Sequence, residues 1–118
     1  MTGTHRREEL AANLVEVRAR IGAAAAAAGR RSEEVTLVVV TKTWPASDVR
    51  ELAALGVTDV GENRDQDAAP KHAACADLPL RWHFIGSLQR NKARSVAGYA
   101  DVVESVDRTS LIDALDHA

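Results

Sequence analysis

Lysine differs from arginine in one respect that matters for covalent chemistry: its amine can shed a proton and attack a carbonyl to form a Schiff base. The chain uses lysine sparingly, with three lysines beside twelve arginines among its 15 basic residues. One of the three, Lys42, directly follows VTLVVVT, the β-branched run from Val35 to Thr41. At the ordinary pKa of about 10.4 roughly one amine in 2,500 is neutral at pH 7, whereas a pKa of about 7.5 makes roughly a quarter neutral. That shift corresponds to about 4 kcal/mol, which desolvation at an apolar strand end can supply. The plain alternative is a lysine that snorkels from the strand end into water.

Three other stretches carry candidate chemistry. Asn63, in Gly61-Glu62-Asn63, offers an amide that both donates to and accepts from a polar ligand, and equally well caps a turn or helix. Ile85 and Gly86 close the run Leu80-Arg81-Trp82-His83-Phe84-Ile85-Gly86, whose His83 reads either as a hydrogen-bonded structural residue or as a direct participant. The segment Gln89-Arg90-Asn91-Lys92-Ala93-Arg94 reads as a solvated basic face or as an anion site. The chain contains no G-x-x-x-x-G-K-[ST], G-x-G-x-x-G or H-E-x-x-H, so nucleotide-loop and zincin chemistry have no support.

The elements that must position these residues follow from periodicity. Leu10, Leu14, Val17 and Ile21 draw one stripe along a helix from about Arg7 to Arg30, which the run Ala23 to Ala28 extends as a small-residue packing face and Gly29 ends. Val35 to Thr41 predicts a strand covered on both faces. Ser47 or Asp48 can cap a helix to Leu55 that stops at Gly56, and Val57 to Val60 predicts a second strand. A helix over about Arg64 to Ala76 contains Pro70, which should kink or divide it. Leu80 to Gly86 predicts the third strand, Gln89 to Ala97 a basic helix, and Asp101 to Val106 the fourth strand. A last helix follows, capped by Thr109 or Ser110.

Strand parity then sorts the faces. If Lys42 points away from the helices, Val40 and Val38 share its face while Thr41 and Val39 meet the helices. Trp82 and Phe84, the bulkier pair of the third strand, belong to the helix layer, which leaves His83 and Ile85 on the ligand side.

A helix followed by four strand-helix units predicts parallel strands joined by right-handed crossovers, in an open doubly wound sheet or in part of a (β/α)₈ barrel. At 118 residues the chain is one domain, and four units are half of a barrel. A net charge of −2 argues against duplex DNA as main partner, and 3% aromatics against a stacking platform for single strands. A single cysteine, Cys75, excludes an internal disulfide and a thiolate zinc cluster, and reads as a half-buried structural thiol in a reducing compartment. The opening MTGTHRREEL is charged at once and no long apolar run follows, so a cytoplasmic protein is expected.

Together, VVVTKTWPASDV, VGENRDQ, RWHFIGSLQRNKAR and ESVDR resemble the YggS/PROSC family of pyridoxal 5′-phosphate (PLP) homeostasis proteins, in order and spacing over nearly the whole chain. The resemblance implies the (β/α)₈ TIM-barrel domain of alanine racemase-like enzymes without its second domain, here as an amino-terminal helix plus about four βα units, residues 1–118. It further implies PLP held as an internal aldimine on Lys42, with Asn63, Ile85 and Gly86 near the cofactor. The implied role is to carry, buffer or deliver PLP, so the partners are PLP and the PLP-dependent apo-enzymes that receive it, without established turnover. A Schiff-base lyase or racemase-like enzyme and a non-binding half-barrel module are the alternatives. Members of that family are about twice as long, and the half absent here would supply the phosphate-binding amides and serine and the arginine at the pyridine nitrogen. Open apolar edges on the first and fourth strands would then favour self-association or pairing with a complementary half.

Overall fold

The computed structural model describes residues 2–118, with side chains from His5 onward; Met1, with which the charged opening segment begins, lies outside them. The order is α1 (Thr2–Ala27), β1 (Val39–Val40), α2 (Ala46–Ala54), β2 (Asp59–Glu62), α3 (Asp65–Ala74), β3 (Arg81–Phe84), α4 (Ala93–Ala97), β4 (Val102–Val103) and α5 (Thr109–Asp116). Single 3₁₀ turns at Ser32–Glu34 and Arg90–Lys92 precede β1 and α4.

The four strands form one parallel sheet in the order β1-β2-β3-β4. Each crossover therefore steps one strand in the same direction, and crossovers of one hand lay all their helices on one side of the sheet. Successive helices pack side by side, α1 on α2 through to α4 on α5. The chain is an α/β fold whose four strands are wound in a single sense, with no reversal of direction among the described residues, whereas a doubly wound fold reverses at a switch point.

The core lies between this helix layer and the sheet. Val49 and Leu52 of α2, Val60 and Trp82 of the strands, Leu14 of α1 and Cys75 form one buried cluster, and Phe84, Leu88, Ala93, Val96 and Leu111 form a second. Trp82 and Phe84 thus face the helices, as strand parity requires. Among the described residues no helix packs on the opposite face, although Asp59, Gly61 and His83 at its centre are themselves buried. A Cα radius of gyration of 15.9 Å exceeds the roughly 13–14 Å of a closed domain of this length, and the shortest dimension, 20 Å, is the depth of one helix layer on one sheet.

That helix-free face corrects the expectation of a strand covered on both sides. Only Val39 and Val40 pair as strand, Val35 is exposed, and Val40 is 45% exposed. An edge strand with one partner and one unpacked face holds its ladder only where β2 runs alongside.

Other boundaries move for local reasons. Of the alanine run only Ala25 is buried, so it is largely a solvent-facing stretch sustained by helix propensity rather than a packing face. Gly29 and Gly56, with φ of +70° and +92°, end their helices as the sequence suggests. Neither Ser47 nor Asp48 caps α2. Pro45 occupies the cap with extended backbone, while Asp48 sits in the first turn and accepts two hydrogen bonds from the Arg6 guanidinium, at 3.1 and 2.8 Å. Neither Thr109 nor Ser110 caps α5; Arg108 stands there without a side-chain cap. Pro70 does not divide α3, because both Pro70 and Gln66 are exposed, so the carbonyl that loses its N–H partner can face water.

Candidate functional site

In parallel α/β folds, ligand sites form where strands end and loops begin, at the carboxyl edge of the sheet. Here the ladder runs to that edge: Thr41 N–H donates to Gly61 O at 2.9 Å, Ile85 N–H to Glu62 O at 2.8 Å, and Glu104 N–H to Phe84 O at 3.0 Å. Val40 pairs with Gly61 and Gly61 with His83. Lys42, Asn63 and Ile85 each follow one of these three paired residues by two positions in the chain.

Lys42 is exposed and occupies the second position of a tight turn closed by Trp44 N–H on Thr41 O, at 3.1 Å. Thr43, the third position, has φ of +67°, a left-handed conformation that turns of this shape demand and that a β-branched residue adopts only under constraint.

Asn63 and Gly86 are brought together. A Cβ built on Gly86 would stand 2.3 Å from the Asn63 carbonyl oxygen and 2.8 Å from its Cβ, so only glycine lets these two loops approach. Ile85 is half-buried on the helix-free face, where its side chain lies over Gly61: a Cβ there would meet Ile85 Cδ1 at 3.5 Å and Val38 Cγ1 at 3.3 Å. Ser105 Oγ donates to Ile85 O at 3.0 Å and ties the third strand end to the fourth.

Below Ile85 on the same face, His83 lies between two carboxylates, with Nε2 2.7 Å from Asp59 and Nδ1 2.9 Å from Glu104. Burial alone would lower the imidazole pKa, but the hydrogen bonds and charges of Asp59 and Glu104 outweigh it and raise it. Burial likewise pushes the Asp59 carboxyl up, while the Thr58 hydroxyl and the His83 ring more than reverse this and hold it below its usual value. With both ring nitrogens engaged by carboxylates, His83 fits the hydrogen-bonded structural residue, the plainer of its two sequence readings. The basic segment from Gln89 to Arg94 is exposed except for Ala93, which packs in the second core cluster.

Sequence reasoning missed the polar cluster on the helix side of the same edge. Glu62 is 1% exposed and accepts from Lys71 Nζ at 3.1 and 2.9 Å and from the Thr41 hydroxyl. Lys71 also donates to Thr41 O at 2.9 Å. The one available signal was spacing, since Lys71 lies nine residues after Glu62 on the next helix. Cys75 is fully buried rather than half-buried, and burial pushes its thiol pKa up. Among the described residues no cluster of His, Cys, Asp and Glu could hold a metal ion, and no helix is long and apolar enough to cross a membrane.

A one-way parallel four-stranded sheet backed by helices, with an amine, an amide and a close-approach glycine along its carboxyl edge, defines an α/β domain, and comparison with known proteins narrows it. No protein-family model matches the chain. It is 50% identical over 106 residues to the pyridoxal phosphate homeostasis protein of Pseudomonas aeruginosa, covering 90% of this chain and 46% of that one. It is 42% identical over 122 residues to the protein of the same name in Mycobacterium leprae, covering 96% and 48%. Among solved structures it resembles PipY of Synechococcus elongatus with PLP bound, at TM-score 0.67 and 45% identity over 70% of this chain and 40% of PipY. A protein of unknown function from Bifidobacterium adolescentis superposes at TM-score 0.85 with 30% identity, over 96% of this chain and 50% of the other. Over nearly its whole length the chain is thus homologous to proteins named pyridoxal phosphate homeostasis protein. It spans about half the length of the curated relatives it matches.

Proposed function

We propose that residues 1–118 are the amino-terminal half of a (β/α)₈ barrel that binds PLP in the cytoplasm and serves vitamin B6 homeostasis, with the amine of Lys42 as the point of covalent attachment. The residues present fit such a group. Lys42 is exposed at the end of β1, beside the helix-free face, and among the described residues it enters no ion pair or hydrogen bond, unlike Lys71. When bound, the cofactor supplies an aldehyde carbon to which an amine adds with loss of water, and a phosphate that calls for N–H and hydroxyl donors. Asn63 offers an amide to a polar substituent, Ile85 an apolar surface for a flat ring, and Gly86 keeps the two loops in contact.

The observation that carries this reading is Lys42 at the end of the first strand, in a chain half identical to a relative named for PLP homeostasis. The helix-free face and the unpaired edges of β1 and β4 support association with a complementary half or a second copy. PLP-dependent apo-enzymes are the proposed recipients of the cofactor.

The test is spectroscopic. PLP added to the chain should give an absorbance band at the edge of the visible, and borohydride should then fix the cofactor on the peptide containing Lys42. Lys42→Ala should lose both. A band and adduct that persist in Lys42→Ala would move the attachment to another amine. Without the other half, affinity should be weak, and nanomolar binding by this chain would contradict the half-site reading.

A further inference from the structure

The attachment reading leaves unexplained why a strained turn at Lys42 persists. The Thr41 carbonyl, one residue before the lysine, accepts from both Trp44 N–H at 3.1 Å and Lys71 Nζ at 2.9 Å. Lys71 spends its other donors on the two Glu62 oxygens, so all three are used. Glu62 in turn immediately precedes Asn63 and holds the Thr41 hydroxyl. One ammonium of α3 therefore grips the backbone beside Lys42 and the side chain beside Asn63.

Such a pair supplies geometry more than stability. Removing two charges from water costs about as much as their attraction returns, and apolar replacement of a buried pair is often neutral. A non-glycine residue in a left-handed conformation, by contrast, persists only where its surroundings over-determine it. Thr43 is such a residue, and the two bonds on the Thr41 carbonyl hold the turn that contains it.

We infer that Lys71 and Glu62 are positioning residues: the buried pair clamps the Thr41–Trp44 turn and the start of the Asn63 loop, and so fixes where Lys42 and Asn63 stand relative to each other. This rests on Lys42 as the attachment point, but the clamp itself can be tested separately. Lys71 touches no ligand in this account and acts only through Thr41 and Glu62.

Lys71→Met alone strands the Glu62 charge and is expected to unfold the chain, so the informative variant is Glu62→Gln/Lys71→Met, which removes both charges together. Amide hydrogen exchange at Trp44 reports the turn directly. In the double variant it should accelerate by about tenfold or more, while Val60 and Trp82 amides in the core strands exchange as before. PLP capture, read as the absorbance band and the borohydride adduct on Lys42, should weaken by roughly tenfold. Unchanged Trp44 exchange would overturn the clamp, and so would faster exchange with unchanged capture. Capture that survives Lys42→Ala would refute the attachment reading instead, and Trp44 exchange would then still decide whether the clamp exists.

Discussion

Gly86 lies so close to Asn63 that a single added carbon would stand 2.3 Å from the Asn63 carbonyl oxygen. The obstacle is backbone on the far side of a strand junction, which no rotamer change can relieve. Gly86→Ala should therefore destabilise the chain by about 1–3 kcal/mol, the usual cost of overpacking, and push the Asn63 loop away from the third strand. Urea denaturation measures the first effect, and a midpoint unchanged by the substitution would mean that the loops are not in contact.

The His83 cluster predicts a pH dependence with two sides. A pKa raised in the folded state contributes stability that is fully present below about 6.5 and is lost as pH climbs through the folded value. Asp59, whose folded pKa is lowered, contributes above about 3.9 and loses it as pH falls through its folded value. Their joint contribution is greatest between these ordinary values. His83→Gln should flatten the alkaline limb of a melting temperature profile, and a parallel profile with the same limb would show that another group titrates there.

At Thr43 the expected outcomes of two substitutions are opposite. Thr43→Gly releases the cost of a left-handed β-branched residue, on the order of 1 kcal/mol or more, against an extra unfolded-state entropy of about the same size, so stability should hold or rise. Thr43→Pro cannot adopt a positive φ and should lose about 2–3 kcal/mol. Equal stability of the two variants would remove the strained turn from the account.

Cys75 is sealed within the first core cluster, and burial disfavours its thiolate. A thiol-specific reagent should modify the native chain about a hundredfold or more slowly than the urea-unfolded chain, because reaction waits on opening of the core. Labelling at equal rates in both states would place the thiol at the surface.

The core was legible where it depends on neighbours in the chain. Alternation alone separates Trp82 and Phe84 from His83 and Ile85, and the glycines at 29 and 56 mark helix ends, because period and backbone conformation are local properties. Val35 to Thr41 shows where this fails. Its unbroken β-branched run reads as a strand covered on both faces, but whether anything covers the second face depends on elements far along the sequence or beyond it.

By itself, the sequence determined the alternation of helices and strands, the two faces of the sheet, and Lys42, Asn63, Ile85 and Gly86 as residues at strand ends. Tertiary structure alone decided that Lys71 reaches across to Thr41, 30 positions away, and that His83 meets Asp59 and Glu104, 24 and 21 positions off. Those meetings are set by the register of parallel strands joined through helices. Register is a relation between segments, and periodicity within one segment carries no information about it.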